Sequence, residues 1–189
     1  MNALAHLKTV ACHRQLVRKY CFRLGLYRQG LVHDLSKYSP AEFIQGARYY
    51  QGTDSPNFRE RRENGLGYSL AWLHHKGRNR HHFDYWLDYC LQPDGSFVFS
   101  GCRMPIRYVA EMFCDSVAAS RTYLKENYSD ASPYDYFMRS RKKVPMHPDT
   151  REEIEKMLLV LKEEGEEAAF AYVKKRLQDE KRSVKARRG

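Results

Sequence analysis

The first 28 residues constrain the fold more than any other stretch. His6, Val10, His13, Val17, Tyr20 and Leu24 recur in alternating steps of four and three, the spacing of one inward face of an α-helix. Two of these six positions are histidines. An imidazole turned into a core must find partners or ligands for both ring nitrogens.

The helical pattern runs nearly to the end of the chain. Gly25 and Gly30 loosen it ahead of residues 31–38, Leu-Val-His-Asp-Leu-Ser-Lys-Tyr, which read as a short second helix. Ser39-Pro40-Ala41-Glu42 is a capping box with proline at the first helical position, and it starts a third. Residues 52–57 form a turn cluster. A fourth helix follows from about Phe58 to Lys76, weakened by Gly65 and Gly67. Gly77-Arg78-Asn79 breaks it, and Asn79 can cap a fifth helix over residues 80–90. Residues 92–104 hold Pro-Asp-Gly-Ser and then Phe-Val-Phe, the one short hairpin or extended loop. Pro105 opens a sixth helix to about Lys125, Ser132-Pro133 a short seventh and His147-Pro148 an eighth, which Gly165 separates from a ninth. No βαβ unit, GxGxxG or Walker-type loop occurs. The expectation is a single all-α domain over residues 1–173, a helical bundle, with a basic tail over 174–189.

Composition narrows the function classes. The 189 residues suffice for one core. No run approaches the ~18 apolar residues of a membrane span. Lys8, His13 and Arg14 interrupt any signal-peptide core, so a cytoplasmic protein without membrane contact is expected. Cys12, Cys21, Cys90, Cys102 and Cys114 form no CxxC pair. They read as reduced thiols, not as a disulfide framework or a zinc ribbon. Of the net charge of +10, residues 174–189 carry +6. That places any weak, non-specific nucleic-acid contact in the tail and argues against a dedicated nucleic-acid surface on the body.

Chemistry concentrates in a few histidines and aspartates. His13 sits mid-stripe on the first helix; taken alone it reads as a hydrogen-bonded core histidine. His33-Asp34 on a helix would diverge by ~100°, so both reach one ion only past the helix end, or if Asp34 bridges two. Asp115 lies on a face with Met112, Ala118 and Ala119, costly for a carboxylate unless a metal or a basic side chain pairs with it. His74-His75 and His81-His82 flank a tight turn that can bring one of each pair to a common cleft. On a fifth helix, His82 shares an inward stripe with Tyr85, Trp86 and Tyr89, while His81 shares the outer face of Asp84 and Asp88. Periodicity does not separate His74 from His75. Such a donor set suits divalent transition metals, Zn, Fe, Mn, Co or Ni. Lys37, one turn after Asp34, can reach a substrate phosphate or remain a surface lysine. Lys76, Arg78 and Arg80 can attract an anionic substrate or form a plain charged turn.

The order His13…His33-Asp34…Asp115 resembles the HD metal-dependent phosphohydrolase superfamily. His-Asp-Leu-Ser-Lys-Tyr-Ser-Pro-Ala-Glu-Phe (33–43) followed by His-His-Lys-Gly-Arg-Asn-Arg-His-His-Phe-Asp-Tyr-Trp (74–86) is similar to an uncharacterised HD-like family of bacteria and phages. The resemblance spans roughly residues 5–125. It implies an HD-type bundle holding one to three divalent ions and hydrolysis of a phosphoester, a nucleotide or other small phosphorylated molecule. It also implies His13, His33, Asp34, His75, His82 and Asp115 as ligands, His75 being preferred to His74 on this ground. Asp34 and Lys37 are the implied catalytic groups, and Lys37, His74, Asn79 and His81 the groups that can meet substrate. The histidines at 75 and 82 are closer together than in well-known two-metal members. An HD-type di-iron oxygenase uses the same ligands, and a non-catalytic nucleic-acid-binding role for the tail is the other alternative. A ferritin-like di-iron bundle is excluded, because no Glu-x-x-His occurs.

Overall fold

In a computed structural model that describes residues 2–140 and 144–186, three long helices form the core. These are α1 (Ala3–Arg23), α6 (Ile106–Leu124) and α8 (Pro148–Ala186). All six residues of the N-terminal stripe are buried. The stripe divides by function. Val17, Tyr20 and Leu24 pack against Val109, Phe113 and Val117 of α6 and against Met157, Leu161 and Phe170 of α8. His6 and His13 lie beyond that cluster, nearer the other end of α1. The helix stops at Arg23 rather than near residue 28, because Gly25 takes a positive φ of 73°.

The smaller helices cover the histidine end of α1. α2 (Tyr27–Val32) packs on α1, and α3 (Pro40–Tyr49) packs on both α1 and α5 (Leu70–Lys76). The expected single helix from Phe58 to Lys76 is two: α4 (Pro56–Glu63) and α5. Gly65 and Gly67 between them adopt φ of 75° and 76°. The join is fixed by Glu60, whose buried carboxylate accepts from the Ser69 hydroxyl and from the Leu70 backbone N–H at 2.9 Å. Ser69 in turn caps the Trp72 N–H at 2.9 Å. These bonds satisfy donors that the start of α5 would otherwise leave open.

The fifth helix expected over 80–90 does not form. A 3-10 turn at Phe83–Trp86 leads into β1 (Leu87–Leu91), which pairs antiparallel with β2 (Phe97–Gly101). The hairpin thus starts earlier than residues 92–104. Tyr89 stands opposite Phe99 with their rings 5.4 Å apart. Such aromatic cross-strand pairing favours strand over the helical period read from the sequence. Beyond it come α6, α7 (Ser132–Ser140) and α8. Gly165 breaks α8 with φ 85° and ψ 178°, where the eighth and ninth helices were expected to part. The stretch from 174 that reads as a tail continues α8 to Ala186, with Val173 and Leu177 buried; residues 187–189 lie outside the described residues. The architecture is all-α with one two-stranded hairpin. Among the described residues, no helix is long and apolar enough to cross a membrane.

Phe113 is fully buried, and its ring meets Phe170 at 5.5 Å. Phe113→Ala is expected to cost about 3–5 kcal/mol. Chemical denaturation checks this as a lower midpoint with an unchanged slope.

Candidate metal centre

The His33-Asp34 pair works because it is not helical. His33 ends α2 in an extended conformation (φ −48°, ψ 126°), and Asp34 follows with φ 53°, ψ 25°. Positive φ is uncommon outside glycine, although aspartate tolerates it better than most residues. The reversal turns both side chains to one centre, which successive positions on a helix could not do. A 3-10 turn at Leu35–Tyr38 then carries Lys37 back over Asp34.

Side chains from five segments converge there. His33 Nε2 is 3.7 Å from Asp115 Oδ1, and His13 Nε2 is 3.0 Å from the same oxygen. Asp34 Oδ2 faces His33 and His13 at 3.6 and 3.8 Å, while Asp34 Oδ1 faces His75 and His81 at 3.3 and 3.5 Å. Among the described residues three groups have donor atoms within 4.8 Å of one another: two donor sets, His13, His33 and Asp115, and Asp34, His75, His81 and His82, and a third, His33, His81 and Glu111, behind them. Nε2 of His13, His33 and His81 and Oδ1 of Asp34 are buried without a hydrogen bond. Orphaned buried polar atoms are rare. Four of them in two adjoining donor sets are what bound cations would satisfy.

Two carboxylates hold the imidazoles from behind. Glu111 Oε1 lies 2.9 Å from His33 Nδ1 and 3.2 Å from His81 Nδ1. Glu42 Oε2 lies 2.7 Å from His75 Nδ1, and its Oε1 lies 2.5 Å from His74 Nδ1. An ionised carboxylate only accepts, so each Nδ1 carries the hydrogen. In the neutral tautomer that this bonding selects, the Nε2 lone pairs of His33, His75 and His81 would face the cluster. This arrangement fixes ligand histidines in metal sites generally.

The chain matches the model of a family of unknown function (DUF5662) over residues 2–160. It belongs to that family. The matched span contains every residue of the cluster and both supporting carboxylates. No curated protein and no solved structure matches the chain.

Several expected roles change on this geometry. His81, expected on an outer face, is 1% exposed and aims Nε2 into the cluster. His82 reaches the cluster too, its Nε2 2.9 Å from that of His75. It does not do so by a stripe with Tyr89, which is 68% exposed on β1. His75 rather than His74 faces Asp34; His74 is bound to Glu42 on the outer side, with its side chain 23% exposed. Asn79 caps no helix. It donates to Ser36 Oγ and to the His75 carbonyl, both at 2.8 Å, and so braces α5 against the Asp34 turn. Ser39 makes no side-chain cap, and Glu42, its expected partner in the capping box, is turned inward. Lys37 Nζ sits 3.0 Å from Asp34 Oδ2. Glu111 and Glu42 were absent from the candidates. Glu111 lies four residues before Asp115, hence on its helix face, and that spacing was the available signal.

The charges interlock. Burial opposes ionisation of Asp34, but His33, Lys37 and His75 outweigh it and hold the carboxyl well below its ordinary range. Asp115 is lowered likewise, against burial, by His13 and His33. Burial pulls His33 and His75 down, yet Asp34 and the supporting carboxylates raise both. Burial wins at His13, and at His82 it is joined by the positive charge of His81 and His75.

Burial would raise Glu111, but the bonds from His33 and His81 bring it from 4.5 to about 2. A depressed carboxyl stabilises the fold above its unfolded pKa, and that stability is lost as pH falls through the folded one. Glu111 therefore contributes up to roughly 3 kcal/mol above pH ~4.5, vanishing towards pH ~2. Denaturation midpoints measured across that window should slope steeply in the parent and flatten in Glu111→Gln.

Proposed function

We infer that this protein is a divalent-metal-dependent phosphoester hydrolase of the HD type. The observation that carries the reading is the meeting of two adjoining donor sets in which three imidazole nitrogens and one carboxylate oxygen are buried without a hydrogen bond. The donor set fits divalent transition metals. His13, His33 and Asp115 would hold one ion and His75, His81 and His82 a second. Asp34 would lie between them, since its two oxygens face opposite donor sets. Ions bound there would acidify water and neutralise phosphoryl oxygens.

The chain's own groups supply the rest. Glu42 and Glu111 hold the imidazoles in the tautomer that offers Nε2. Lys37 and Asp115 mark the open side, with 33% and 19% of their side chains exposed against 8% or less for Asp34, His13, His33, His75 and His81. A phosphoester approaching from there meets the Lys37 ammonium first. Burial lowers and Asp34 raises the affinity of Lys37 for its proton, and Asp34 prevails. Lys37 therefore stays cationic, holds Asp34 in place, and has N–H groups left for a phosphoryl oxygen. Its contact with Asp34 favours the substrate-facing role expected of it over that of a plain surface lysine.

Metal analysis followed by a phosphoester panel tests the reading. Asp34→Ala should lose metal and hydrolysis together. Lys37→Ala should keep the metal and lose at least tenfold in turnover, the lower range for a positioned charge. The double variant His75→Ala/His82→Ala should fall from about two ions per chain to about one. Full metal content in Asp34→Ala would refute the centre. A fully loaded parent that consumes dioxygen and hydrolyses no phosphoester would move the protein to the oxygenase class.

A further inference from the structure

The five cysteines occupy three different environments. Cys12 is exposed on α1. Cys21 and Cys114 touch one another but are sealed at 0% exposure in the core. Cys90 and Cys102 also touch, Sγ to Sγ at 3.5 Å, but both are half-buried. They share the wall of an open cleft of about 570 Å³, with Phe99, Arg103, Met146 and His147. Residues 145–147 form the other side of this cleft, their backbone packed where a side chain at Gly101 would stand. Small solutes can therefore reach this pair and not the other.

We propose that Cys90 and Cys102 are a dithiol modification site, converted to an internal disulfide by exchange with a small disulfide. The pair stands twelve positions apart in sequence, at opposite ends of the β1–β2 hairpin. Cys102 is held to the hairpin base by its N–H bond to the Trp86 carbonyl at 2.7 Å. Its contact with Cys90, helped by burial, raises the pKa of the Cys102 thiol. Cys102 therefore holds its proton more tightly than an ordinary thiol, and the exchange takes Cys90 as its attacking sulfur.

In the first step the Cys90 thiolate attacks one sulfur of the small disulfide. That S–S bond breaks, and the departing thiolate takes up the proton that Cys90 gave up. The Cys102 sulfur, losing its own proton, then attacks Cys90 Sγ and expels the second small thiol. The protein gives up two electrons and two protons, and one small disulfide becomes two thiols. An isolated two-stranded hairpin is marginal in water. The bond would fasten this one, and with it the segment that joins His81 and His82 to α6.

The test uses full-length reduced protein carrying Cys12→Ser, treated undenatured with oxidised glutathione. Intact mass should fall by about 2 Da, the loss of two hydrogens, and digestion should yield one linked peptide pair containing Cys90 and Cys102. Cys21 and Cys114 should react only after unfolding. In Cys12→Ser/Cys102→Ser the product should instead be a stable glutathione adduct at Cys90. A lasting adduct on Cys90 or Cys102 when both are present would overturn the proposal. So would a bond joining any other pair, or no reaction at either while Cys12 in the parent chain is modified.

Discussion

The structure is organised around one carboxylate that has almost no water. Asp34 is 1% exposed, and its charge must be compensated where it lies. An isolated buried carboxylate would protonate or force the chain open. Here Lys37 meets one oxygen directly, and four imidazoles approach the two oxygens from α1, α2, α5 and the strand-leading turn. The imidazoles need support from behind, and one smaller helix and one core helix provide it. α3 brings Glu42, and α6 brings Glu111 and Asp115 on successive turns of one face. The left-handed turn at Asp34 is the backbone consequence. It carries local strain of the kind found where surrounding structure over-determines a side chain.

Glu111 has a wider reach than its neighbours. Its single Oε1 receives an imidazole from each donor set, and Gln29 donates to Oε2 at 3.2 Å and to the Arg107 carbonyl at 2.8 Å. The orientations of His33 and His81 are therefore not independent. Rotating either ring away from Glu111 leaves the other carrying the whole compensation of that carboxylate. Polar networks of this kind are rigid when complete and fragile when one member is lost.

The sequence was most readable where local periodicity and burial agree. The stripe from His6 to Leu24 places six residues over about five turns, and every member is buried. Asp115 could be named because a carboxylate beside apolar positions is costly without a partner, whereas His33 and Asp34 rest on the resemblance of their order to the HD pattern. His81 was misplaced because a helical period was extended across residues that form a turn and a strand. Pairing between Tyr89 and Phe99 is a non-local effect that no window around residue 82 contains. Glu42 was misread for a related reason. Its position after Ser39 fits a local cap, and only the arrival of α5 gives the carboxylate two histidines to hold.

The far side of the core has a consequence in time. Tyr20, two turns along α1 from His13, stacks on Phe170 at 5.3 Å, and Arg23 reaches across to Glu166. Gly165 bends α8 there, and Arg121 of α6 meets the same Glu166 at 2.7 Å. The donor residues have all been synthesised by position 115, yet the surface that seats α1 is incomplete until position 170 emerges. Contacts so distant in sequence form late, because a long loop must close before they contribute. A nascent chain stalled between these points carries every histidine and carboxylate of the cluster on helices that are not yet held together, and the closing of the last helix completes the packing that keeps these buried groups in register.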